Sequence, residues 1–387
     1  MPDRIPILIA GGGIAGLALA RALHKSGLDF HVLEGRAGPG DAGLAINLPG
    51  NAITALEQLG IGEQIAGLGR PTRRREYRTD RGRMLFAIDE VAFWGEEMQP
   101  RAMRRSDLLA LLADGLPPNV LSFGMEIGAV HTAVDAVSVE TVAGARLDGD
   151  LLIGADGVRS AVRRLAFAET LPRPALLANA SWRFLARNPG VDCWTLWAGP
   201  ESMILLIPLD GEVVYGWMTV PATAGSPAAL ADSFKRFPAV VRTAVEEAVG
   251  SGAALHHSPI EEVRAERWGR DRVLLVGDAA HATAPVWAQG AALALEDALV
   301  LANLLASGRD RQHVASVYEE VRRPRVHHVQ RMTDRLSRAA RMPTIVRGAL
   351  MPFVGPKSYA STYGPLRTDA LASLSNASGA SAAPPWS

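Results

Sequence analysis

Three short apolar runs, each followed closely by glycine, restrict the fold of this chain more than any other feature. Residues 5–10, 150–153 and 273–276 consist mainly of isoleucine, leucine and valine, which is typical of strands buried on both faces of a parallel sheet. Helix-like apolar spacing follows the first run, from Ile14 to Lys25. Together these runs predict an α/β fold whose strands end at a shared edge, where ligands of open α/β sheets bind.

The first run leads into a glycine turn of the pattern G-x-G-x-x-G. We expect Gly11 to make the tight turn, Gly13 to let the backbone approach a phosphate, and Gly16 to let helix and strand pack closely. The helix N-terminus offers unpaired N–H groups and a partial positive charge to an anion. A second run, 30–33, ends at Glu34, 18 residues after Gly16, a spacing suited to a carboxylate that accepts from ribose hydroxyls. The pattern predicts dinucleotide binding, with a glycine turn that serves packing alone as the alternative.

The other two runs end beside acidic residues. Asp156 and Asp278 lie just past the predicted strands, where a carboxylate can accept hydrogen bonds from a ribose or ribityl hydroxyl. After Pro285, a predicted helix over 290–306 would stabilise negative charge on a reduced flavin ring through its N-terminus. In isolation, Asp156 also suits a turn-forming residue, Asp278 a helix N-cap, and His281 a histidine that serves packing.

Composition narrows the class of protein. A chain of 387 residues exceeds the usual size of one domain, so two domains are expected. Its 40 basic and 40 acidic residues balance, which argues against a nucleic-acid or anionic-membrane surface as the main function. Cys193 is the only cysteine, which excludes an intrachain disulfide and favours a reducing, cytoplasmic location. Glycines interrupt the apolar stretch at 5–23, so neither a signal peptide nor a membrane span is predicted.

Periodicity and turn residues predict the remaining elements. Expected are a helix over 51–60 capped by Asn51, a hairpin over 73–89, a capped helix over 106–112, strands at 194–197, 203–208 and 213–220, and helices over 290–306 and 314–342, the last kinked at Pro324.

In combination, these motifs resemble the single-component FAD-dependent aromatic hydroxylases, the class A flavoprotein monooxygenases related to 4-hydroxybenzoate and salicylate hydroxylase. The resemblance covers roughly residues 5–340. It implies a Rossmann-like FAD-binding domain, an inserted substrate domain built on a mainly antiparallel β-sheet, and a long C-terminal helix. The expected boundaries are 1–72, 100–170 and 266–305 for the FAD-binding domain, 73–99 and 171–265 for the substrate domain, 306–366 for a C-terminal helical segment, and 367–387 for a disordered tail.

The resemblance also implies the site. FAD is the expected cofactor, NADPH or NADH the electron donor, and O2 and a small aromatic molecule the co-substrates, with no metal and no nucleic acid, in a monomer or homodimer. The expected cofactor contacts are Gly11, Gly13, Ile14, Ala15, Gly16, Glu34, Arg36, Arg105 (or its neighbour Arg104), Asp156, Gly157, Gly277, Asp278, Pro285, Gly290 and Ala291. The expected flavin and substrate surroundings are Pro285, Trp287, Gln289 and Gly290, and the expected substrate pocket is Trp182, Tyr215, Trp217 and Trp287.

Two departures from the family pattern lie where substrate and flavin would meet. The usual P-x-x-G-Q-G becomes residues 285–290 with Ala288 in place of a glycine, and Trp287 is expected over the substrate side. The loop over 43–51 is longer than is common in the family. Both departures bear on which substrate is taken.

The chemistry that the resemblance implies is reduction of FAD by NAD(P)H and transfer of one oxygen atom from a flavin C4a-hydroperoxide to an electron-rich ring. Five tryptophans could form walls of the pocket: Trp182, Trp194, Trp197, Trp217 and Trp287. At least three of these five are expected to pack in the core instead. Tyr215, His256 and His257 are weak candidates for a base that activates a phenol. The run 73–75 of three arginines favours a solvated strand edge over a substrate clamp.

Other classes of protein fit the motifs less well. A dehydrogenase has no use for the Asp278 motif, and a disulfide reductase needs more than one cysteine. A flavin halogenase would need the motif W-x-W-x-I-P, which this sequence lacks. It would also need a lysine at the site, and no lysine lies between Lys25 and Lys235. The alternative that stays open is an FAD-loaded protein of the same fold without hydroxylation, either a flavin oxidase or a protein that shelters an intermediate.

Overall fold

The computed structural model describes residues 5–39, 44–168, 172–175, 178, 180–221, 223–224, 226–250, 255–308, 311–340 and 342–374. The strands are β1 (Ile5–Ala10), β2 (Phe30–Glu34), β3 (Ala45–Leu48), β4 (Arg70–Pro71), β5 (Arg74–Thr79), β6 (Met84–Asp89), β7 (Arg101–Arg104), β8 (Leu121–Phe123), β9 (Ile127–Thr132), β10 (Val137–Thr141), β11 (Arg146–Gly154), β12 (Arg173–Pro174), β13 (Ala180–Arg187), β14 (Trp194–Ala198), β15 (Met203–Pro208), β16 (Val213–Thr219), β17 (His256–Pro259), β18 (Glu261–Glu262), β19 (Gly269–Arg270) and β20 (Val273–Leu275). The helices are α1 (Ile14–Lys25), α2 (Gly50–Gln58), α3 (Gly62–Ala66), α4 (Glu90–Trp94), α5 (Arg105–Ala113), α6 (Ala161–Phe167), α7 (Pro227–Ser233), α8 (Ala239–Gly250), α9 (Asp278–His281), α10 (Gly290–Ala306), α11 (Arg311–Ala340) and α12 (Thr344–Tyr363), followed by a 3-10 turn over Gly364–Arg367.

The main sheet is parallel at its centre, in the order β20-β11-β1-β2-β8. Strands β19, β10 and β9 extend it with antiparallel pairs. Leu8, Ile9 and Ala10 in β1 have no exposed surface, as expected for a strand that is covered on both faces. Helices α1 and α10 pack against one another over this sheet. The predicted α/β fold is therefore confirmed.

The second large sheet has the order β17-β13-β16-β15-β14-β5-β6 and is antiparallel except for the β14–β5 pair. Helices α7 and α8 cover one of its faces, with Phe184, Phe234 and Val241 fully buried between them. The other face is turned towards the main sheet and bounds the cavity described below. This arrangement confirms the mainly antiparallel sheet expected beside the Rossmann-like part.

The C-terminal part is longer and more ordered than predicted. Helix α11 runs through Pro324 to Ala340, and α12 follows it as a separate helix. Residues 368–374, which the sequence assigned to a disordered tail, continue the fold. Asp369 accepts a hydrogen bond from Gln58 at 2.9 Å, and Ala370 is buried. The rest of the predicted tail lies outside the described residues.

Two predicted helix caps are wrong. Helix α2 begins at Gly50 with Pro49 as N-cap, so Asn51 lies inside the helix, where its amide bonds to other side chains. Helix α5 begins at Arg105, and Ser106 provides no cap. Buried partners elsewhere in the chain outcompete the local backbone for the Asn51 side chain. Among the described helices, none has both the length and the apolar character needed to cross a bilayer.

Candidate active site

A cavity of about 560 Å³ lies where the carboxyl ends of β1, β11 and β20 meet the open face of the seven-stranded sheet. The turn after β1 contributes residues 13–15 to its wall, the turn after β11 contributes 157–158, and the start of α9 contributes Asp278. Parts of α11 and α12 bound the far side. The three glycine-bearing motifs are thus brought to one site, because parallel strands end at the same edge of the sheet.

The glycine turn has the geometry that the sequence predicts. Gly11 has φ +110°, and a Cβ there would lie 2.5 Å from the carbonyl oxygen of Ala155. A Cβ on Gly16 would lie 1.8 Å from the carbonyl oxygen of Gly11. By contrast, a Cβ on Gly13 would meet no atom within 4 Å, and Gly13 lines the cavity. The turn therefore holds strand and helix together and leaves open space above Gly13, which fits a phosphate approaching the N-terminus of α1.

Glu34 is buried at the end of β2, and its carboxylate closes the glycine turn. It accepts from the N–H of Gly12 at 2.7 Å and from both the backbone N–H and Nε of Arg36 at 2.9 Å. Burial alone would raise the pKa of Glu34, but the hydrogen bonds from Arg36 and Gly12 lower it overall. Glu34 is therefore an ionised acceptor beside the turn. Its contact with a ribose stays a prediction, as does the contact of Arg36.

Asp156 has one carboxylate oxygen in a local hydrogen bond. Its Oδ2 accepts from the N–H of Val162 at 3.0 Å, at the start of α6, and Ser160 caps the same helix. Burial raises the pKa of Asp156, against hydrogen bonds from Ser160 and from this backbone. The next residue, Gly157, has φ +81° and does line the cavity. The Oδ2 contact agrees with the turn-forming alternative, but Oδ1 is buried without a hydrogen-bond partner among the described residues, so the contact of Asp156 with the cofactor stays a prediction.

Asp278 faces the cavity across from Arg105. Asp278 is exposed to the cavity, and partial desolvation there raises its pKa, against the attraction of His281 and Arg105. Nε of Arg105 is buried and has no hydrogen-bond partner among the described residues, whereas Arg104 is exposed at the surface. Burial lowers the pKa of Arg105 as well. Of the two arginines that the sequence left open, Arg105 is the one at the site.

The segment before α10 presents only some of its predicted residues to the cavity. Pro285 and Ala288 line it, as do Gly290 and Ala291 at the first turn of α10. Unpaired N–H groups at this helix end point to the site and favour negative charge. These positions suit the expected surroundings of a flavin ring.

Trp287 and Gln289 lie in the protein core rather than over the substrate side. The carbonyl of Trp287 accepts from the Tyr363 hydroxyl at 2.6 Å, and the two rings pack edge to face at 5.7 Å. Gln289 exchanges two hydrogen bonds of 3.0 Å with the Asn51 amide. Both side chains are almost completely buried. The expected contact of Trp287 with the substrate is therefore corrected: this residue anchors α12.

Ala288 has φ +53°, a left-handed conformation that costs an alanine about 1–2 kcal/mol. The Ala288→Gly variant should therefore unfold with a free energy about 0.5–1 kcal/mol higher than the parent, because glycine adopts this conformation without strain but loses more backbone entropy. Urea denaturation measures the difference. As a matched control, Ala110→Gly on the exposed face of α5 should lower stability by about 1 kcal/mol. If both variants lost the same free energy of unfolding, Ala288 would not be strained.

Alternation along the strands of the second sheet decides which side chains reach the cavity. Tyr215 and Trp217 in β16 line it, and so does Trp194 in β14. Trp182 in β13 points to the opposite face, where it stacks on His257 with ring centroids 4.3 Å apart. The expected pocket role of Trp182 is therefore corrected. Trp182, Trp197 and Trp287 pack in the core, in agreement with the expectation that at least three of the five tryptophans would do so.

Arg183 and Tyr215 bring polar groups to this aromatic wall. Nη2 of Arg183 donates to Oγ of Ser258 at 2.6 Å, and its Nε is buried without a hydrogen-bond partner among the described residues. Burial raises the pKa of Tyr215 to about 12, against the positive charges of Arg183 and Arg105. His256 and His257, the other weak candidates for a base, are exposed on the edge strand β17. On this aromatic wall, Arg183 and Tyr215 therefore act as hydrogen-bond donors.

Arg75 is a cavity residue that the sequence analysis missed. Arg73 and Arg74 are exposed, as expected for a strand edge, but Arg75 alternates inward and is completely buried. It forms an ion pair with the buried Glu90, and its guanidinium lies 5.1 Å from the Trp194 ring centroid. The run of three arginines hid this difference because side chains alternate across a strand.

A buried ionic network lies directly behind Asp278. Nε2 of His281 is 2.6 Å from Oδ2 of Asp297, and the same carboxylate accepts from the N–H of Gly277 at 2.8 Å and from Nε of Arg322 at 2.7 Å. Burial would raise the pKa of Asp297, but the charges of His281 and Arg322 lower it overall. His281 is thus a paired structural histidine, and the network fixes the Gly277 turn that presents Asp278.

The chain is similar in sequence and in fold to known FAD-dependent proteins. The family model described as "FAD binding domain" matches residues 4–334, which include both large sheets. The 3-amino-4-hydroxybenzoate 2-monooxygenase of Streptomyces cremeus is 30% identical over 359 residues, which cover 89% of this chain and 90% of that protein. The 2-heptyl-3-hydroxy-4(1H)-quinolone synthase of Pseudomonas aeruginosa is 29% identical over 339 residues, with 84% and 87% covered. Klebsiella pneumoniae HpxO, solved with FAD and uric acid, superposes with a TM-score of 0.76 at 25% identity, over 97% of this chain and 96% of that one.

Proposed function

The chain belongs to the FAD-binding domain family, and from that premise we propose that it is an FAD-dependent monooxygenase that consumes NAD(P)H and O2 and inserts one oxygen atom into an aromatic or heteroaromatic small molecule. The observation that carries the proposal is the continuity of one cavity. It joins a dinucleotide cradle at the main sheet to an aromatic-walled chamber at the second sheet. A protein that only carries the cofactor needs the first part alone.

The residues of the cradle fit FAD. The open space above Gly13 would admit the pyrophosphate, with the N–H groups at the start of α1 as donors. Glu34 would accept from the ribose at one end, and Asp278 from the ribityl chain at the other. The buried Nε of Arg105 is a further donor at the cavity, without an acceptor among the described residues. When bound, FAD supplies the redox chemistry that connects NAD(P)H oxidation to O2.

The surrounding residues would hold the cofactor's charge and exclude water. Gly290 and Ala291 would present the N–H groups of α10 to the ring, which favours its anionic reduced form. Leu196, Leu205 and Trp217 give the chamber an apolar wall on the other side. Such a wall excludes water from a reactive centre and strengthens the few polar contacts inside it.

The chamber also indicates a substrate class. Arg183 and Tyr215 are donors on an aromatic wall, and the raised pKa of Tyr215 keeps its hydroxyl protonated at neutral pH. Trp194 and Trp217 contribute two aromatic side chains to the same wall. The combination suits an aromatic ring that carries a carbonyl, phenolate or carboxylate oxygen.

The proposal is tested by colour, by consumption of the donor and by the product. The purified protein should be yellow or become so on reconstitution with FAD. In a screen of hydroxybenzoates, quinolones and purines, an aromatic ligand should stimulate NAD(P)H oxidation, and mass spectrometry should find a product with one added oxygen atom. Stimulated oxidation without an oxygenated product from any ligand would leave a flavin oxidase instead, and colourless protein would exclude both.

Replacing Asp278 with alanine should lower the FAD content of the purified protein at least about tenfold, because the ribityl chain loses an acceptor that no neighbouring residue replaces. The ratio of flavin to protein absorbance after gel filtration measures the loss. Asp29→Ala, an exposed aspartate before β2, is the control and should keep full occupancy. Unchanged occupancy in the Asp278 variant would remove this residue from the cofactor site.

Replacing Arg183 with methionine should weaken substrate binding by about 10- to 100-fold, and Tyr215→Phe by about 5-fold, since charged hydrogen bonds contribute more than neutral ones. FAD content should stay unchanged in both variants. Arg187→Met, an exposed arginine of the same strand β13, is the matched control. Flavin difference spectra measure the dissociation constants, and equal values for Arg183→Met and Arg187→Met would contradict the assignment.

Further features of the proposal rest on the sequence. We propose that segments 1–72, 100–170 and 266–305 form the FAD-binding domain and that 73–99 and 171–265 form the substrate domain, which agrees with the two strand sets 74–89 and 180–259 of the second sheet. We also propose a cytoplasmic location, NADPH or NADH as donor, and a monomer or homodimer. The single cysteine favours the reducing compartment.

A further inference from the structure

One face of α12 carries apolar side chains that the described part of the chain leaves uncovered. Val346, Leu350, Phe353 and Val354 are each at least 44% exposed, and Phe353 reaches 74%. Their spacing places them on one face of the helix. Met342, just before the helix, is exposed as well. We call these five residues the apolar stripe. Contiguous exposed apolar side chains mark an interaction surface more often than scattered ones do.

The charge of this region is strongly one-sided, although that of the whole chain is balanced. Residues 335–368 contain six arginines and lysines and no aspartate or glutamate. Lys357 is exposed and follows Phe353 by four residues, so it continues the same helix face. Arg335 and Arg338 are exposed in the last turns of α11. The negative charge of Asp80, on the β5–β6 hairpin, attracts the Arg347 guanidinium of this segment. The stripe is thus apolar with a cationic border.

We propose that α12 docks, without crossing it, on a lipid bilayer that contains anionic lipids. An apolar helix face would enter the boundary of the acyl chains, and the cationic border would meet the headgroups. A second copy of the chain fits this face less well. A symmetric contact would bring two acid-free, basic segments together, and like charges repel.

An adjoining face of the same helix bounds the cavity. Arg347 and Met351 line it from α12, and Leu336 and Ala339 line it from α11. The docked face and one wall of the chamber therefore belong to adjoining faces of the same helix. An apolar aromatic molecule dissolved in the bilayer would be held close to the chamber. This consequence rests on the proposed function, whereas the docking does not.

The test is flotation of the FAD-loaded full chain with phosphatidylcholine vesicles, with and without phosphatidylglycerol. The protein should float with the anionic vesicles, and binding should weaken at high salt. The double variant Leu350→Ser/Phe353→Ser should lower the partition coefficient at least about tenfold, because two large apolar side chains no longer enter the lipid. Lys357→Glu should weaken binding to the anionic vesicles only. Val134→Ser/Val142→Ser removes two exposed apolar side chains outside the apolar stripe and should bind like the parent.

Other outcomes overturn the proposal. Absence of flotation with anionic vesicles at low salt excludes docking, and equal binding of all variants removes α12 from it. Light scattering that shows a dimer dissociated by Leu350→Ser/Phe353→Ser, together with no vesicle binding, assigns the stripe to a second copy. The flavin content of each variant shows whether it is folded. If the double variant loses FAD, the flotation of the single variant Phe353→Ser is measured instead, with the same expected loss of binding. Flotation and light scattering require no turnover, so these results stay valid even if the protein is found not to be a monooxygenase.

Discussion

Replacing Arg322 with methionine should lower the free energy of unfolding by about 3–5 kcal/mol. The Arg322 guanidinium is 1% exposed, donates from Nε to Asp297 at 2.7 Å, and donates from Nη1 to Glu296 at 2.8 Å. Methionine preserves much of the apolar volume but removes the cation that two buried carboxylates share, which leaves Glu296 beside Arg325 and Asp297 beside His281. A buried charge that loses its partner is strongly destabilising even where the intact pair contributes little. Urea unfolding followed by tryptophan fluorescence measures the loss.

Arg335→Met on the same helix is the matched control for this loss. Arg335 is exposed, and its replacement should change stability by less than about 0.5 kcal/mol. Arg322→Met should also bind FAD more weakly than Arg335→Met, because Asp297 holds the N–H of Gly277 and so positions Asp278. If both variants unfold alike, the network behind the cavity does not stabilise the fold.

Replacing Gly16 with alanine should destabilise the FAD-free protein by about 3 kcal/mol or more and abolish FAD binding. The new Cβ would lie 1.8 Å from the carbonyl oxygen of Gly11, and a backbone atom at this turn cannot move aside without opening the contact between β1 and α1. Thermal unfolding of the FAD-free protein and flavin occupancy measure the two effects. A folded, yellow Gly16→Ala protein would show that the turn differs from this geometry.

Gly13→Val separates packing from cofactor binding. A Cβ on Gly13 meets no atom within 4 Å, so the FAD-free variant should keep the parent's stability, but the side chain occupies the space assigned to the pyrophosphate and should leave the protein colourless. Gly38→Ala, at another position with free space, should change neither property. Full occupancy in Gly13→Val would move the cofactor away from this turn.

Elements whose formation depends on neighbouring residues could be predicted closely. The strand at 5–10, the helix at Ile14–Lys25 and the strand at 203–208 occur with the predicted bounds. The roles of Gly11 and Gly16 also followed from sequence, because a tight turn and a close helix–strand contact each tolerate only glycine. Local sterics and the period of apolar residues suffice for such features.

Side-chain partners far apart in the chain could not be predicted. Asn51 looked like a helix cap but bonds Gln289, 238 residues away, and Arg75 looked solvated but is paired with Glu90 inside the protein. His281 lacked a visible partner because Asp297 comes from another helix. In each case a buried polar group found the partner that burial requires, and nothing in its own segment identifies that partner.

The tryptophans of the second sheet show which features depend on the sequence alone and which depend on the tertiary structure. Period-two alternation determines that Trp182 and Arg183 point to opposite faces of β13, and this much is present in the sequence. Which face meets the cavity and which meets α8 depends on how the second sheet packs on the main one. The amino-acid sequence by itself determined the central strands and the glycine turn, and hence the expectation of a bound dinucleotide, because these follow from local backbone geometry. The walls of the substrate chamber were decided only by the tertiary structure, because burial is a property of the packed sheets and not of any one segment.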